Sequence, residues 1–341
     1  MNRFIWGANR RTFLKGSAAA LGAGAVSGLP FSGAFGAAFP DHPLAVVVPT
    51  AEGGGADRNL RAVTTVWPKY LPGAAFEMGY FPGASGRVGY EVYMGKNAPD
   101  CYSLLFGNMG PEVLNWVVQA PDSFKFPGDY QYFAHVDIDP SVVYVAADSP
   151  FRNIDDIVAE AKKRTISVAT SRIAHPASLG ILAVGEATGG KFNLIPMSGG
   201  KKTLAAVVTG ETDIGVLPSG SVVTAGDSVR TVLVFDKTNP LGAMLNNAPA
   251  VNDALGTKIP PLFSARAFAL HTAAMDKYPD RYQALVSSLE KTVADQAYRD
   301  EIVKAKAPLE NIRYGDGAAC QEYVDGIIEI GNRFKSLLTG N

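Results

Sequence analysis

The stretch VVVPTAEGGGADRNLR, residues 46–61, drives a run of β-branched residues into three glycines and then into a helical pattern that opens on Asp57. Residues 44–48 predict a buried strand, and Gly53, Gly54 and Gly55 remove the Cβ atoms that would keep a ligand off the main chain. A helix starting behind them adds its positive N-terminal end, so the unit reads either as a seat for a small anion or as a tight turn with nothing bound. It is not a nucleotide loop. G-x-G-x-x-G cannot be laid over these positions, and no G-K-[ST] closes the run. Asp57 is assigned to anchoring the turn, because a carboxylate beside a bound anion would oppose it.

Outward from this unit, β-rich runs at 44–48, 76–81, 103–106, 142–145, 166–169, 192–195, 214–217, 231–234 and 265–270 alternate with amphipathic segments at 57–70, 154–163, 176–186 and 201–208. That alternation predicts an α/β protein with mostly parallel sheets. The chain then changes character, reading as two long helices over 279–306 and 318–338 with a short strand at 311–314 between them. Two segments, 135–151 and the Pro/Gly/Asn-rich 235–261, read as crossings between lobes. Lobe 1 is then discontinuous, 39–140 plus 262–341, and lobe 2 is 141–261.

Residues 1–38 stand apart. Arg10 and Arg11 open RRTFLKG, followed by a Gly/Ala-rich, weakly apolar stretch without an acid, which reads as a twin-arginine (Tat) export signal cleaved within 36–38. Removing it takes four basic residues (Arg3, Arg10, Arg11, Lys15) from 31 and none of the 32 acids, leaving a net charge of −5. Nucleic acid is excluded as a partner on that balance, and an anion would have to be held by local donors and dipoles. Cys101 and Cys320 are read as unpaired buried thiols, with a disulfide left open.

The familiar catalytic and metal patterns are missing. His42, His135, His175 and His271 form no His-x-x-x-His pair, and neither cysteine has a Cys-x-x-Cys partner, so no metal or other cofactor is expected. SGGK, residues 198–201, fits the S-x-x-K of serine enzymes that recognise penicillin, but the accompanying S-D-N and K-T-G elements are absent. What recurs instead is a Gly-rich or polar turn after a strand: FPGASGRVG (81–89), GNMG (107–110), TSRIAHP (170–176) and MSGGKK (197–202). In open α/β sheets such turns lie at the edge where ligands bind, and two facing lobes would gather them around one cleft.

These segments resemble a known family. VPTAEGGGADRNLR follows the V-P-[FY]-x-x-G-G-x-x-D-x-x-x-R opening of the Bug-type extracytoplasmic receptors of tripartite tricarboxylate transporters. FPGASGRVGYEVYMGKNAPDCYSLLFGN (81–108) follows their N-x-P-G-A-G-G-x-x-G-x-x-x-[VL]-A-x-x-x-P-D-G-Y-T-L-L pattern without a gap, matching at Pro82, Gly83, Ala84, Gly86, Gly89, Pro99, Asp100, Tyr102, Leu104 and Leu105. LIPMSGGKKTLAAVVTGETDIGV and APAVNDALG match later motifs more loosely. The resemblance implies a type II periplasmic-binding-protein-like fold, with a carboxylated ligand between two lobes and integral membrane transporter subunits as partners.

Departures from the family pattern cluster in lobe 2. Met197 stands where Tyr is usual, Leu217 where an acid often follows the strand, and Arg172 to Leu179 replace G-x-G-[ST]-P-S-H-L; in lobe 1, Cys101 replaces Gly and Arg87 replaces Asn. Together with Glu52, Met197 and Leu217 point to a pocket less polar than a tricarboxylate wants. The candidate contacts are Thr50, Gly54, Gly55, Ala84, Ser85 and Asn108 from lobe 1, facing Ser171, Ser198 and Gly199 from lobe 2. His175 is read as either a ligand donor or a packing residue, and Arg172 as either a bidentate partner for a second carboxylate or a solvated side chain. The expected protein is a periplasmic, monomeric solute receptor without catalysis. Two alternatives remain: an input protein for a membrane sensor, and an exported enzyme using Ser198 and Lys201.

Overall fold

Leu44–Val48 forms β1, with four of its five residues buried, as befits a strand covered on both faces. The computed structural model describes residues 39–197 and 199–339; the export segment expected at 1–38 and the candidate Ser198 lie outside the described residues. Ten further strands follow: β2 (Phe76–Tyr80), β3 (Ser103–Met109), β4 (Tyr130–Asp137), β5 (Asp139–Ala146), β6 (Ile166–Thr170), β7 (Phe192–Pro196), β8 (Ile214–Pro218), β9 (Val229–Val234), β10 (Phe263–His271) and β11 (Ile312–Asp316). Between them lie α1 (Gly55–Val66), α2 (Arg87–Lys96), α3 (Pro111–Gln119), α4 (Ile154–Ala161), α5 (Pro176–Thr188), α6 (Gly200–Val208), α7 (Ser219–Val223) and α8 (Val251–Leu255). The chain ends in α9 (Thr272–Lys277), α10 (Pro279–Ala294), α11 (Gln296–Lys304), α12 (Gly317–Arg333) and α13 (Lys335–Thr339).

The strands pair in two groups. One runs β2–β1–β3–β10–β4–β11 and the other β7–β6–β8–β5–β9. They touch where Phe263 and Ser264 of β10 pair with Pro140 and Asp139 of β5. The chain crosses from one group to the other at Ile138 and returns through the segment between β9 and β10, giving an α/β architecture of two lobes. The parallel sense expected from the sequence holds for β1–β3 and for β6–β8. β4, β5, β9, β10 and β11 run antiparallel to their neighbours, so both sheets are mixed. The C-terminal helices pack on the first group, α12 against β4 and α3, and α11 against α1.

Four local readings change, the smallest being the helix expected over 318–338, which ends at Arg333 and is followed after Phe334 by α13. β4 was not expected: residues 135–137 read as the start of a crossing between lobes, whereas they end a strand in which His135 and Asp137 are buried. GNMG is not a turn: β3 continues through Asn108 and Met109, with Asn108 in register with Arg266, and only Gly110 (φ 101°) leaves the strand. The single helix expected over 279–306 breaks at Asp295. That residue is extended (φ −74°, ψ 140°) and ends α10, while its carboxylate caps α11 by accepting from Ala297 N at 3.0 Å. Its other oxygen accepts from Lys69 Nζ (2.6 Å) and Tyr70 OH (2.8 Å), tying the break to the short turn that follows α1. Cys101 and Cys320 are both buried and unpaired.

Candidate functional site

A cleft of about 850 Å³ lies between the two groups of strands. Its first wall is the turn after β1. Gly53 takes a positive φ of 78°, and its N–H donates to Asp57 Oδ2 at 2.7 Å. Asp57 Oδ1 accepts from Arg61 Nε at 2.8 Å and from Tyr80 OH. Burial alone would raise the Asp57 carboxyl; these donors outweigh it and hold the group below its ordinary range. Asp57 is thus the anchor of the turn. Gly54 is the N-cap of α1 and supplies no side-chain cap, so the first-turn amides behind it stand at the cleft wall with Gly53–Ala56.

The floor was not foreseen. Arg266 of β10 donates Nη1 to Asp137 Oδ2 at 2.9 Å and Nη2 to Asp139 Oδ2 at 3.0 Å, and Asp137 Oδ1 also takes Arg266 N at 2.7 Å. Asn59 of α1 donates to Asp137 Oδ2 (3.1 Å), while Asp139 Oδ1 accepts from Ser219 Oγ (2.7 Å) and Gly220 N (2.8 Å) at the start of α7. One buried guanidinium therefore joins the first lobe to the second. Burial works against its charge, but the two carboxylates more than offset this and hold it above its usual range. Burial pushes Asp137 up to about 6 in spite of Arg266. A Cβ on Gly55 would stand 3.5 Å from Arg266 Nη2, so the guanidinium lies directly beneath the glycine turn.

The second lobe supplies the facing wall. Arg172 Nη1 donates across the cleft to Ser85 O at 3.2 Å. His175 is the N-cap of α5: its Nδ1 accepts from Ala177 N at 3.0 Å, which leaves the proton on Nε2, 3.5 Å from Ser264 Oγ. Burial, and then the nearby Arg172, push it down to about 3, so this imidazole is neutral. Gly199 (φ 121°) caps α6, and its N–H is directed to Ser171 O at 3.3 Å.

Of the candidates read from sequence, Gly54, Gly55, Ser85, Asn108, Ser171, Arg172, His175 and Gly199 line the cleft. Thr50 and Ala84 do not. Thr50 Oγ1 is buried without a partner, and Ala84 is exposed, its carbonyl 3.5 Å from Asn115 Nδ2. Leu217 lines the cleft, whereas Glu52 and Met197 do not. The reading from sequence missed Arg58, Asn59, Asp137, Asp139, Ser264, Arg266 and Lys306. Lys306 belongs to the 305–308 segment behind α11, where it holds a positive φ of 55°. Lys201 also lines the cleft, so five cationic side chains (Arg58, Arg172, Lys201, Arg266, Lys306) face two acids, Asp137 and Asp139. Among the described residues no cluster of three His, Cys, Asp or Glu could hold a metal, and no helix is long and apolar enough to cross a membrane.

Residues 79–302, more than half of the chain, match the sequence profile of the tripartite tricarboxylate transporter family receptors. A UPF0065 protein of Bordetella bronchiseptica is 24% identical over 217 residues, which is 64% of this chain and 64% of the relative. A TctC solute binding protein from Polaromonas superposes with a TM-score of 0.70 at 22% identity, covering 86% of this chain and 99% of that one. MatC from Rhodopseudomonas palustris, solved with bound malate, gives a TM-score of 0.66 at 18% identity, over 88% of this chain and 100% of its own.

Proposed function

Since the chain belongs to the tripartite tricarboxylate transporter receptor family, we propose that it captures a small mono- or dicarboxylate in the inter-lobe cleft and delivers it to integral membrane subunits of such a transporter. The charge of the cleft supports this most directly. Five cationic side chains against two acids leave an excess of three positive charges, beside helix amides that carry no competing side-chain cap. MatC with bound malate is consistent with a dicarboxylate.

In this reading Gly54 and Gly55 offer main-chain N–H groups to one carboxylate, with Ser85 and Asn108 beside them. Ser171, Arg172 and Gly199, with Ser198, close from the second lobe. Thr50 and Ala84 support the turns from outside the cleft. The two groups of strands, expected from the sequence as 39–140 with 262–341 and 141–261 and parting at Ile138, move as lobes about the two crossings, and closure removes the ligand from water. The receptor acts in the periplasm as a monomer, exported through the Tat signal at 1–38, and no bond is made or broken in the ligand.

A thermal-shift screen of the protein without residues 1–38 tests the reading against mono-, di- and tricarboxylates and amino acids. A ligand that binds only the folded state raises the melting temperature once its concentration exceeds the dissociation constant. A rise confined to one carboxylate class is expected. No rise with any acid, from a folded sample, would refute it.

A further inference from the structure

Helix α3 begins with Pro111 at the cleft wall and Glu112 turned inward. Glu112 is 0% exposed, and neither carboxyl oxygen has a partner at full hydrogen-bond geometry; the main-chain N–H groups of Glu112 and Asn108 are the nearest donors. A carboxyl group left this way is costly in the charged form and rare without a function. Its surroundings are well defined. Gly86, in the turn that carries Ser85, leaves room for it: a Cβ there would stand 3.3 Å from Glu112 Cγ and 3.5 Å from Oε1. Tyr90 of α2 and Tyr130 and Tyr132 of β4 face it as neutral phenols, all pushed well above their ordinary range by burial. The charged groups that act on it are Arg172, from the second lobe, and Arg266 of β10. Both line the cleft.

We propose that Glu112 balances the charge of the ligand seat, serving as counter-charge to Arg172 while the cleft is empty and taking up a proton from solvent when a carboxylate arrives. The proposal rests on the anion-capture reading above. A ligand carboxylate near Arg172 cancels the field that favours ionised Glu112 and adds negative charge beside it, leaving only the main-chain N–H groups of Glu112 and Asn108 and the more distant Arg266 to favour the charged form. Protonation then removes the conflict without moving a side chain. Burial already pushes Glu112 up to about 7 against the pull of Arg172, so a small change of field alters its charge at neutral pH. Glu112 is a positioning residue for the seat, touching Gly86 rather than the ligand.

Calorimetric titration with L-malate, or with the carboxylate giving the largest thermal shift, tests this at pH 7 in buffers of different ionisation enthalpy. The wild type should take up roughly half a proton per ligand and bind about five- to tenfold more tightly at pH 6.5 than at pH 8.5. Glu112→Gln, which has the shape of the neutral acid, should bind with proton uptake near zero and little pH dependence. Binding by the wild type with the same enthalpy in every buffer overturns the proposal and leaves the receptor reading intact. Uptake that persists in E112Q overturns the assignment to Glu112. If no carboxylate binds the folded protein, the receptor reading and this inference fall together.

Discussion

Replacing Arg266 by Met removes the cation that, among the described residues, compensates Asp137 and Asp139. The three side chains are nearly dry, with 17%, 7% and 2% of their surfaces exposed. Breaking a buried ion pair from one side costs about 3–5 kcal/mol, because the charge left behind has neither water nor partner. Asn59, Ser219 and Gly220 still donate to the two carboxylates, which places the expected loss near the lower end, about 3 kcal/mol at pH 8. The carboxylates can escape by taking up protons. Asp137, which burial already holds near 6 against the pull of Arg266, then rises further, so the native state of R266M binds more protons than the wild type does and its stability falls more steeply as pH rises through that window. The gap between wild type and R266M should be small at pH 5 and widen toward pH 8 by roughly 1.4 kcal/mol for each pKa unit gained.

Urea denaturation followed by tryptophan fluorescence reads this change. Trp67 and Trp116 both report on the lobe that holds the network, through bonds to Ser288 and Tyr130. R266K, which keeps the charge but not the fork that reaches two acids, should lose less than R266M at pH 8. A loss of less than about 1 kcal/mol for R266M at pH 8, or an equal loss at pH 5 and pH 8, would refute the claim that the floor is a charge-compensated unit.

Other perturbations separate structure from binding. His175→Ala should cost about 1 kcal/mol in urea denaturation through loss of the α5 cap, and His175→Asn, which retains an acceptor, should recover most of it. Arg172→Ala should weaken binding of the screened carboxylate about tenfold or more with little change in melting temperature, since its bond to Ser85 O is partly solvated. Burial pushes the Cys101 and Cys320 thiols up to about 11 and about 12, so Ellman's reagent should find no reactive thiol in the native protein and two after unfolding in guanidinium.

The parts of this molecule legible in its sequence are those fixed by neighbours along the chain. Apolar runs such as Leu44–Val48 announce strands because a covered strand must be apolar on both faces, and Asp57 announces an anchor because Gly53 lies one turn away. The floor of the cleft obeys the same chemistry but is assembled from afar: Asp137 and Arg266 are 129 residues apart in the chain. Alone, each reads as a surface charge, and β4 is hidden for the same reason, since its buried histidine and aspartate look wrong for an interior until their partners are known. His135 fits there because Gly315 lacks a side chain; a Cβ at that glycine would lie 2.0 Å from His135 Nε2.

Glycine carries the corresponding ambiguity. Gly53 and Gly86 serve turns with positive φ, as the motif suggests, but Gly107 lies inside β3 because a Cβ there would come within 2.7 Å of Tyr90 OH. The same residue type thus marks a turn at one position and a close approach at another, and only the fold says which. Extending β3 past Gly107 puts Asn108 in register with Arg266, so the misread glycine and the missed floor have one origin. The ligand seat is built where a local signal, the glycine turn, lands on a non-local one, the buried guanidinium. Ligand choice should therefore follow Arg266 and its two acids at least as closely as the family motif above them.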